Sequence, residues 1–252
     1  MSDRAIGVIS GAADSDINFS WFRHEFMVDN GLKDTLKSGH VVIDTADKLD
    51  QYLYTYGLMI ESQWKKVGPL LGDVKQPTVL IDYGCGQGLA GLLLKDLTQG
   101  RLFGAVRDIL LIEPSAVALA RAEALYRRIA PNATVTIVCK RFDALSESDV
   151  PDSHAGETLH VFSNSLDVLG FDPLKLLAKT MRPGAHTIIS TSHDRTFNGG
   201  TPQIERVRAA FDNQSMPFDL TIQQSTLKNF TCDNPSQSKG VVWLCQLEIE
   251  DG

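Results

Sequence analysis

A glycine-rich segment directly follows a short apolar run. Residues 82–88 read Asp-Tyr-Gly-Cys-Gly-Gln-Gly, after the apolar residues 79–81 and before the apolar stretch 89–94. Glycine lets the backbone pass close to a ligand, and the free amides at a helix N-terminus can face an anionic group. The pattern therefore predicts a strand, a ligand-binding turn and the start of a buried helix.

The spacing of these glycines discriminates between cofactors. Gly84, Gly86 and Gly88 follow the spacing G-x-G-x-G. The dinucleotide fingerprint, G-x-G-x-x-G, needs a glycine at position 89, where this chain has Leu89. The spacing disfavours a nicotinamide-dependent oxidoreductase and favours a different cofactor.

Two carboxylates follow later apolar runs. Glu113 comes after residues 110–112, where a carboxylate can accept hydrogen bonds from both ribose hydroxyls of an adenosine. Asp143 follows Phe142, and this pair can accept from an adenine amino group and pack on the base. The alternatives are a surface acid at position 113, and at 142–143 a core phenylalanine with a helix-capping aspartate. Both interpretations stay open.

The chain from residue 78 onward predicts an α/β fold. Short apolar runs alternate with helical stretches, which is typical of a parallel sheet built from strand–helix–strand units. The polar segment 231–239 is too short for a helix, so the last two strands form an antiparallel pair. The predicted strands lie near 78–82, 109–113, 134–139, 159–162, 186–192, 220–230 and 241–249.

The clearest predicted helix of this region spans 115–129. Ser115 is a good N-cap after Pro114, and alanine recurs through the segment. Another helix is predicted at 174–181, where the Arg-Pro-Gly sequence of residues 182–184 ends it.

Residues 1–77 form an N-terminal extension before the domain at 78–252. Residues 1–17 lack a clear period and predict a loose arm. Residues 18–30 are dense in aromatic groups and must cover an apolar surface. Between 44 and 68 apolar residues recur at steps of three and four, which predicts an amphipathic helix with Asp44 or Thr45 as N-cap.

Three tyrosines of that helix alternate along the sequence. Tyr52, Tyr54 and Tyr56 cannot share one helical face. At least one of them therefore points away from the core, either towards the ligand or towards the surface.

Composition limits the class of partner. The chain has 252 residues and a net charge of -7, with 24 lysines and arginines against 31 aspartates and glutamates. Clustered cations supply most nucleic-acid affinity, so a small molecule or a protein is favoured over DNA or RNA. Four dispersed cysteines without a CxxC pair predict reduced thiols and no metal site. With no signal-like segment or membrane-length apolar run, we expect a cytoplasmic protein.

Taken together, these residues resemble the class I S-adenosylmethionine-dependent methyltransferases. The resemblance covers residues 78–192 and, through the antiparallel pair, extends towards the C-terminus. It implies a Rossmann-like sheet of seven strands, mostly parallel with the last strand reversed, and helices on both faces. The interval of 24 residues between Gly88 and Glu113 is longer than expected and indicates a loop insertion.

The resemblance also implies a cofactor site for S-adenosylmethionine, with S-adenosylhomocysteine as product. Asp82 and the glycines would hold the methionine moiety, Glu113 the ribose, and Phe142 with Asp143 the adenine. The predicted cofactor residues are Asp82, Gly84, Cys85, Gly86, Gln87, Gly88, Glu113, Pro114, Phe142, Asp143 and Ser163.

Candidates for the reaction lie after the fourth and fifth strands. His193 is the first choice for a base, Asp167 the second, and Asn164 is a further polar candidate. Alternatively, Asn164 and Asp167 cap a turn and residues 193–195 form a solvated loop. The Asn/Asp-Pro-Pro-Tyr signature of amino-group methylation on bases and glutamine is absent at residues 163–170.

Two functions from different classes remain. The first is methyl transfer to a small molecule or a protein, with the N-terminal extension as a lid. The second is a non-catalytic S-adenosylmethionine binder or scaffold, which the weak catalytic signature and the aromatic segment keep open.

Overall fold

The computed structural model of the chain describes residues 4–39, 41–150, 156–166, 168–194, 200–235 and 238–250. The strands in these ranges are β1 (Val79–Tyr83), β2 (Asp108–Ile112), β3 (Thr134–Val138), β4 (Thr158–Ser163), β5 (Gly184–His193), β6 (Leu220–Thr231) and β7 (Lys239–Ile249). The α-helices are α1 (Arg4–Gly11), α2 (Phe19–Phe26), α3 (Ala46–Val67), α4 (Leu89–Thr98), α5 (Ala116–Ile129), α6 (Pro173–Thr180) and α7 (Gly200–Asp212).

All of these strands belong to one sheet, in the order β3-β2-β1-β4-β5-β7-β6. The pairs from β3 to β5 are parallel, whereas β7 runs antiparallel to both β5 and β6. Strand β7 is therefore the reversed one. The predicted α/β class, with a seven-stranded, mostly parallel sheet and a reversed last strand, is confirmed.

Helices cover both faces of the sheet because successive strand residues point to opposite sides. In β1, Leu80 faces an apolar cluster shared with α1–α5, while Ile81 and Tyr83 face a second cluster shared with α6 and α7. All residues of β1 are buried, as expected for a central strand of a parallel sheet.

The predicted helices of the sheet region are confirmed. Helix α5 begins after Ser115, whose Oγ accepts a hydrogen bond from the amide of Ala118 at 3.1 Å. Helix α6 begins after Asp172 with Pro173 as its first residue. Between α4 and β2 a short 3-10 helix, Arg101–Phe103, occupies the long interval after the glycine turn.

Helix α1 is where the prediction of a loose arm is wrong. Ala5 and Ile9 are buried, and α1 packs on α5. The guanidinium of Arg128 donates hydrogen bonds to the carbonyls of Ile9, Ser10 and Ala12 at 2.7–3.0 Å. A side chain more than a hundred residues away therefore satisfies the end of α1, which no local pattern could indicate.

The aromatic segment forms α2, with Asn18 as N-cap accepting from the amide of Trp21. Phe19, Phe22 and Phe26 are buried in the cluster shared with α3 and α4. The long helix α3 begins after Thr45, as predicted. None of the helices in the described ranges is long and apolar enough to cross a membrane.

Candidate functional site

A cavity of about 390 Å³ lies at the carboxyl ends of β1, β2 and β4. Its walls come from the glycine turn, the residues after β2, β3 and β4, helix α3, and the segment 41–43. After β3, on the β2 side of β1, the chain crosses to β4 on the other side of β1, and open α/β sheets bind ligands outside such a crossover.

The glycine turn has backbone angles that favour glycine. Gly84, Gly86 and Gly88 have φ values of 65°, 51° and 88°. A Cβ on Gly84 would lie 2.9 Å from the Cβ of Ser165, so the turn also packs too closely for a larger residue there. Gly86 has no atom within 4 Å of that position and lines the cavity. Gly88 is the N-cap residue of α4 and does not line the cavity.

Glu113 connects the end of β2 to the glycine turn. Its Oε2 accepts a hydrogen bond from the amide of Gly86 at 3.1 Å, and its Oε1 accepts from the amide of Ser115 at 2.9 Å. Burial raises the pKa of this carboxyl, and the two amide hydrogen bonds oppose that shift. Glu113 also lines the cavity, so it presents a half-buried carboxylate beside the turn.

Asp82 lies beneath the turn and does not line the cavity. It is fully buried, and its Oδ2 accepts a hydrogen bond from the Tyr126 hydroxyl of α5 at 2.7 Å. Burial raises its pKa to about 7, and the nearby charge of Glu113 adds to the shift. The carboxyl is thus poised between its two protonation states near neutral pH.

A buried arginine fixes the turn to α3. The Nη1 of Arg121 donates to Oδ1 of Asp50 at 2.7 Å and to Oε1 of Gln87 at 3.1 Å. The Nε2 of Gln87 donates to the carbonyl of Leu49 at 3.1 Å. Gln87 is therefore the central residue of a polar network between α3 and α5, in addition to lining the cavity.

The residues after β2 and β3 form another wall. Pro114, Phe142 and Asp143 line the cavity, as does Arg141. The Phe142 ring packs against that of Phe171, with centroids 4.7 Å apart. The Asp143 side chain is 58% exposed and lies at the rim, 3.9 Å from the guanidinium of Arg141.

The residues after β4 are held by α3. The Nε1 of Trp64 donates to Oγ of Ser163 at 3.0 Å. The amides of Gln63 and Asn164 exchange two hydrogen bonds, at 2.7 and 3.2 Å. Asn164 has a φ of 56°, and its backbone amide donates a hydrogen bond to the carbonyl of Thr191 in β5. The polar groups at this end of the cavity are thus fixed in position.

The candidates for the reaction fall into different places. Asn164 lines the cavity. His193 is buried at the end of β5, opposite Gly240 of β7, and is not among the lining residues. Asp167 lies outside the described residues. The structure therefore brings Asn164 to the glycine turn and keeps His193 apart from it.

One of the tyrosines of α3 reaches the cavity. Tyr52 lines it, and the ring of Tyr56 packs on that of Tyr52 with centroids 5.0 Å apart. Tyr54 is 46% exposed on the outer face. Tyr52 thus points towards the ligand cavity and Tyr54 towards the surface, which are the two directions that the alternating spacing allowed.

Several lining residues were not predicted from the sequence. They come from segments without a motif, and their positions depend on contacts between distant parts of the chain. The unpredicted lining residues include Val41, Val42, Ile43, Leu49, Ile60, Ser165, Val168, Leu169 and Phe171. No motif or spacing marks them in the sequence, and it is the structure that shows the polar residues Gln51, Ser62 and Gln63 of α3 to be buried.

No group of three or more histidine, cysteine, aspartate or glutamate side chains within the described ranges could hold a metal ion.

No protein-family model and no curated protein matches the chain. Among solved structures, it is similar to a SAM-dependent methyltransferase from Geobacter sulfurreducens in complex with S-adenosyl-L-homocysteine (13% identity, 89% of this chain and 100% of that chain, TM-score 0.45). It is also similar to geranyl diphosphate C-methyltransferase from Streptomyces coelicolor A3(2) (10% identity, 84% and 87%, TM-score 0.45). A third is M. jannaschii TYW2 in complex with AdoMet (13% identity, 75% and 76%, TM-score 0.43).

Proposed function

We propose that the cavity binds S-adenosylmethionine and that the chain transfers its methyl group to an acceptor. The observation that carries this proposal is the half-buried carboxylate of Glu113, which borders the cavity while bonded to the amide of Gly86. An ionised carboxylate has about four lone-pair sites, so it can accept from ribose hydroxyls besides the two amides. Such a carboxylate beside a glycine turn suits an adenosyl group.

The described residues fit the other parts of that cofactor. Gly86 leaves open space where a side chain would stand, so its backbone can lie against the methionine moiety. We assign Phe142 and Pro114 to the faces of the adenine and Asp143 to its amino group. Asp82 supports the turn from below through Tyr126, because it has no place on the lining.

The cofactor supplies a methyl group on a positively charged sulfur, whose carbon–sulfur bond breaks as the acceptor atom bonds to the methyl, the electron pair staying on sulfur. An acceptor that loses a proton passes it to water or to a base. The part of the protein is to align the acceptor and exclude water, which by itself lowers the barrier substantially. The buried Cys85 thiol is not the base, because burial raises its pKa well above the usual value.

We further propose that the N-terminal extension selects the acceptor. Helix α3 and the segment 41–43 contribute residues to the walls of the cavity. The hydroxyl of Ser115 donates to the carbonyl of Ile43, which ties this segment to the start of α5. The extension is thus joined to the edge of the cofactor site.

A second candidate function is binding without catalysis. The reciprocal bonds between Gln63 and Asn164 occupy the amide that would otherwise face the acceptor. A protein that binds the cofactor as a ligand or scaffold has no need of a base at that position.

Calorimetric titration with S-adenosylhomocysteine tests the cofactor proposal. Gly86→Arg fills the cavity and is expected to abolish the binding heat. Gly100→Arg is the matched control, since Gly100 also has a positive φ and open space but lies outside the lining. Equal loss in both variants, or no heat with the native chain, would refute the proposal.

Turnover distinguishes the two candidate functions. Labelled methyl transfer into fractionated cell extract is expected for an enzyme, and no transfer into any fraction favours the binder.

A further inference from the structure

Much of the cavity lining is apolar. The described lining residues of helix α3, the segment 41–43 and the loop after β4 carry no charge. They include Val42, Ile43, Tyr52, Ile60, Val168 and Leu169. Burying apolar atoms of a ligand against these side chains lowers the free energy of binding. The same side chains carry no positive charge that could pair with a phosphate or a carboxylate.

Exposed apolar residues also border the mouth of the cavity, in addition to the charged residues Arg141 and Asp143 at the rim. In the described part of the chain, the large hydrophobic side chains that are exposed are Val28, Val42, Tyr54, Ile137 and Leu169. Two of these, Val42 and Leu169, line the cavity, and Leu169 is the most exposed at 66%. An apolar compound could therefore bind at the mouth before it enters.

The charges at the cavity disfavour anions. Arg141 is the cation among the lining residues, and it stands beside Asp143 at the rim. Glu113 adds a second carboxylate to the lining. Arg121 lies close by but is bonded to Asp50 and Gln87. A nucleic acid or a phosphorylated compound would meet a site with more acids than free cations.

One hydroxyl at the inner end has no assigned partner. The Oγ of Ser165 is buried, lines the cavity and has no hydrogen bond within the described structure. A buried hydroxyl without a partner costs free energy, so a ligand that supplies one is favoured. Because the Cβ of Ser165 adjoins Gly84, this hydroxyl lies next to the turn that we assign to the methionine moiety.

We infer that the methyl acceptor is a small, uncharged and largely apolar molecule with a single hydrogen-bonding group, which enters between Val42 and Leu169 and bonds to Ser165. This inference rests on the proposed function. The cavity of about 390 Å³ is near the lower end of the roughly 300–1,000 Å³ typical of small-molecule sites, and the cofactor occupies part of it. The acceptor is therefore a compact molecule rather than a protein chain.

The test compares 2-naphthol, 2-naphthoate and naphthalene, three probes with the same rings. Calorimetry is done on protein saturated with S-adenosylhomocysteine, so that cofactor binding is measured first and separately. We expect 2-naphthol to bind at least tenfold more tightly than 2-naphthoate at neutral pH. Ser165→Ala should weaken 2-naphthol by roughly three- to tenfold and leave naphthalene unchanged, because only the hydroxyl loses a partner.

Charge variants test the entrance. Val42→Lys and Leu169→Lys are expected to reduce or reverse the preference for 2-naphthol over 2-naphthoate. Ile137→Lys is the matched control, since Ile137 is 44% exposed, as Val42 is 45%, and lies on β3 outside the lining. The control should keep the preference of the native chain.

The outcomes separate the two proposals. If S-adenosylhomocysteine binds but 2-naphthoate is preferred, or no probe binds, or a short RNA displaces 2-naphthol, the acceptor inference is wrong while the cofactor proposal stands. If S-adenosylhomocysteine itself does not bind, the proposed function fails and the acceptor assignment fails with it.

Discussion

Two carboxylates at the ends of neighbouring strands, the half-buried Glu113 after β2 and the buried Asp82 in β1, have different surroundings. Glu113 accepts from two backbone amides and borders the cavity, whereas Asp82 accepts from one hydroxyl and is enclosed by protein. The second carboxylate oxygen of Asp82, Oδ1, has no hydrogen bond within the described structure. Glu113 is therefore suited to contact a ligand. Asp82 lies beneath the turn, and its own charge changes with pH near neutrality.

Glu113→Gln is expected to weaken S-adenosylhomocysteine binding by roughly 10- to 100-fold. Hydrogen bonds to a charged group contribute about 1.5–3 kcal/mol, and the glutamine amide removes the charge and one acceptor. Glu123→Gln is the control, since that exposed glutamate of α5 pairs with Arg127 at the surface. Calorimetry that finds equal affinities for both variants would remove Glu113 from the site.

Asp82→Asn is expected to change how stability depends on pH. In the unfolded chain this carboxyl has its ordinary pKa of 3.8, whereas in the folded chain the pKa is about 7. Between these values the unfolded state binds fewer protons, so the native chain loses stability as pH rises from 4 to 7. The loss is on the order of 4 kcal/mol, because each tenfold difference in proton affinity between the two states contributes about 1.4 kcal/mol.

The asparagine variant has no such proton and should gain stability relative to the native chain over that window. Urea unfolding at pH 4 and pH 8 measures the difference. Asp149→Asn gives the contrast, because Lys140 holds the Asp149 pKa at about 2, so this carboxylate stabilises the native chain throughout the range from pH 4 to pH 8 and its loss should cost a similar amount at both pH values. A native chain and an Asp82→Asn variant with parallel pH profiles would contradict the assignment.

Helices α4 and α5 pack closely because one of them has a glycine at the contact. The ring of Tyr126 crosses α4 at Gly91 to reach Asp82, and a Cβ on Gly91 would lie 2.5 Å from the Tyr126 Cζ. Gly91 therefore provides the space through which the hydrogen bond to Asp82 is made.

Gly91→Ala is expected to destabilise the native chain by about 1–3 kcal/mol through overpacking. In a Tyr126→Leu background the same change should be neutral or stabilising by up to about 1 kcal/mol, because alanine is the better helix former. Urea unfolding of the native chain, the two single variants and the double variant measures the coupling free energy between Gly91 and Tyr126. If the effect of Gly91→Ala is equal in both backgrounds, the ring is not the cause.

The elements differ in how well the sequence predicted them. The strands were found to within two residues, because a buried strand of a parallel sheet is a continuous apolar run between turn signals. Helix α1 was missed because Arg128 of α5 satisfies its carbonyls. A local pattern carries no trace of such a distant partner.

The candidate site also has parts that the sequence predicts and parts that it does not. The glycine turn and Glu113 are recognisable from spacing, since each lies at the end of its own strand. The contacts of Gln63 and Trp64 with residues after β4 join positions about a hundred residues apart, and the sequence gives no sign of them. The assignments of the cofactor residues and of the reaction candidates Asn164, Asp167 and His193 remain predictions.

The molecule as a whole is built so that its N-terminal extension and the sheet share one apolar cluster. The buried ion pair between Arg121 and Asp50 lies within this joint, with Gln87 of the turn bonded to the same guanidinium. The cavity thus has its geometry only when the extension is docked.

Arg121→Met is expected to destabilise the chain by about 3–5 kcal/mol, because it leaves Asp50 without its buried partner. Arg127→Met, which removes an exposed pair with Glu123, should cost less than about 1 kcal/mol. Urea unfolding measures both. Equal and small losses would indicate that the pair does not hold the extension to the sheet.

The guanidinium of Arg121 also lies over the ring of Phe26, 5.6 Å from its centroid. During synthesis from the N-terminus, about 95 residues separate these partners, which takes the ribosome about 5–19 s at typical rates. Phe26 is therefore synthesised seconds before the α5 cation that lies over its ring, so this contact forms only after most of the N-terminal half of the chain has been made.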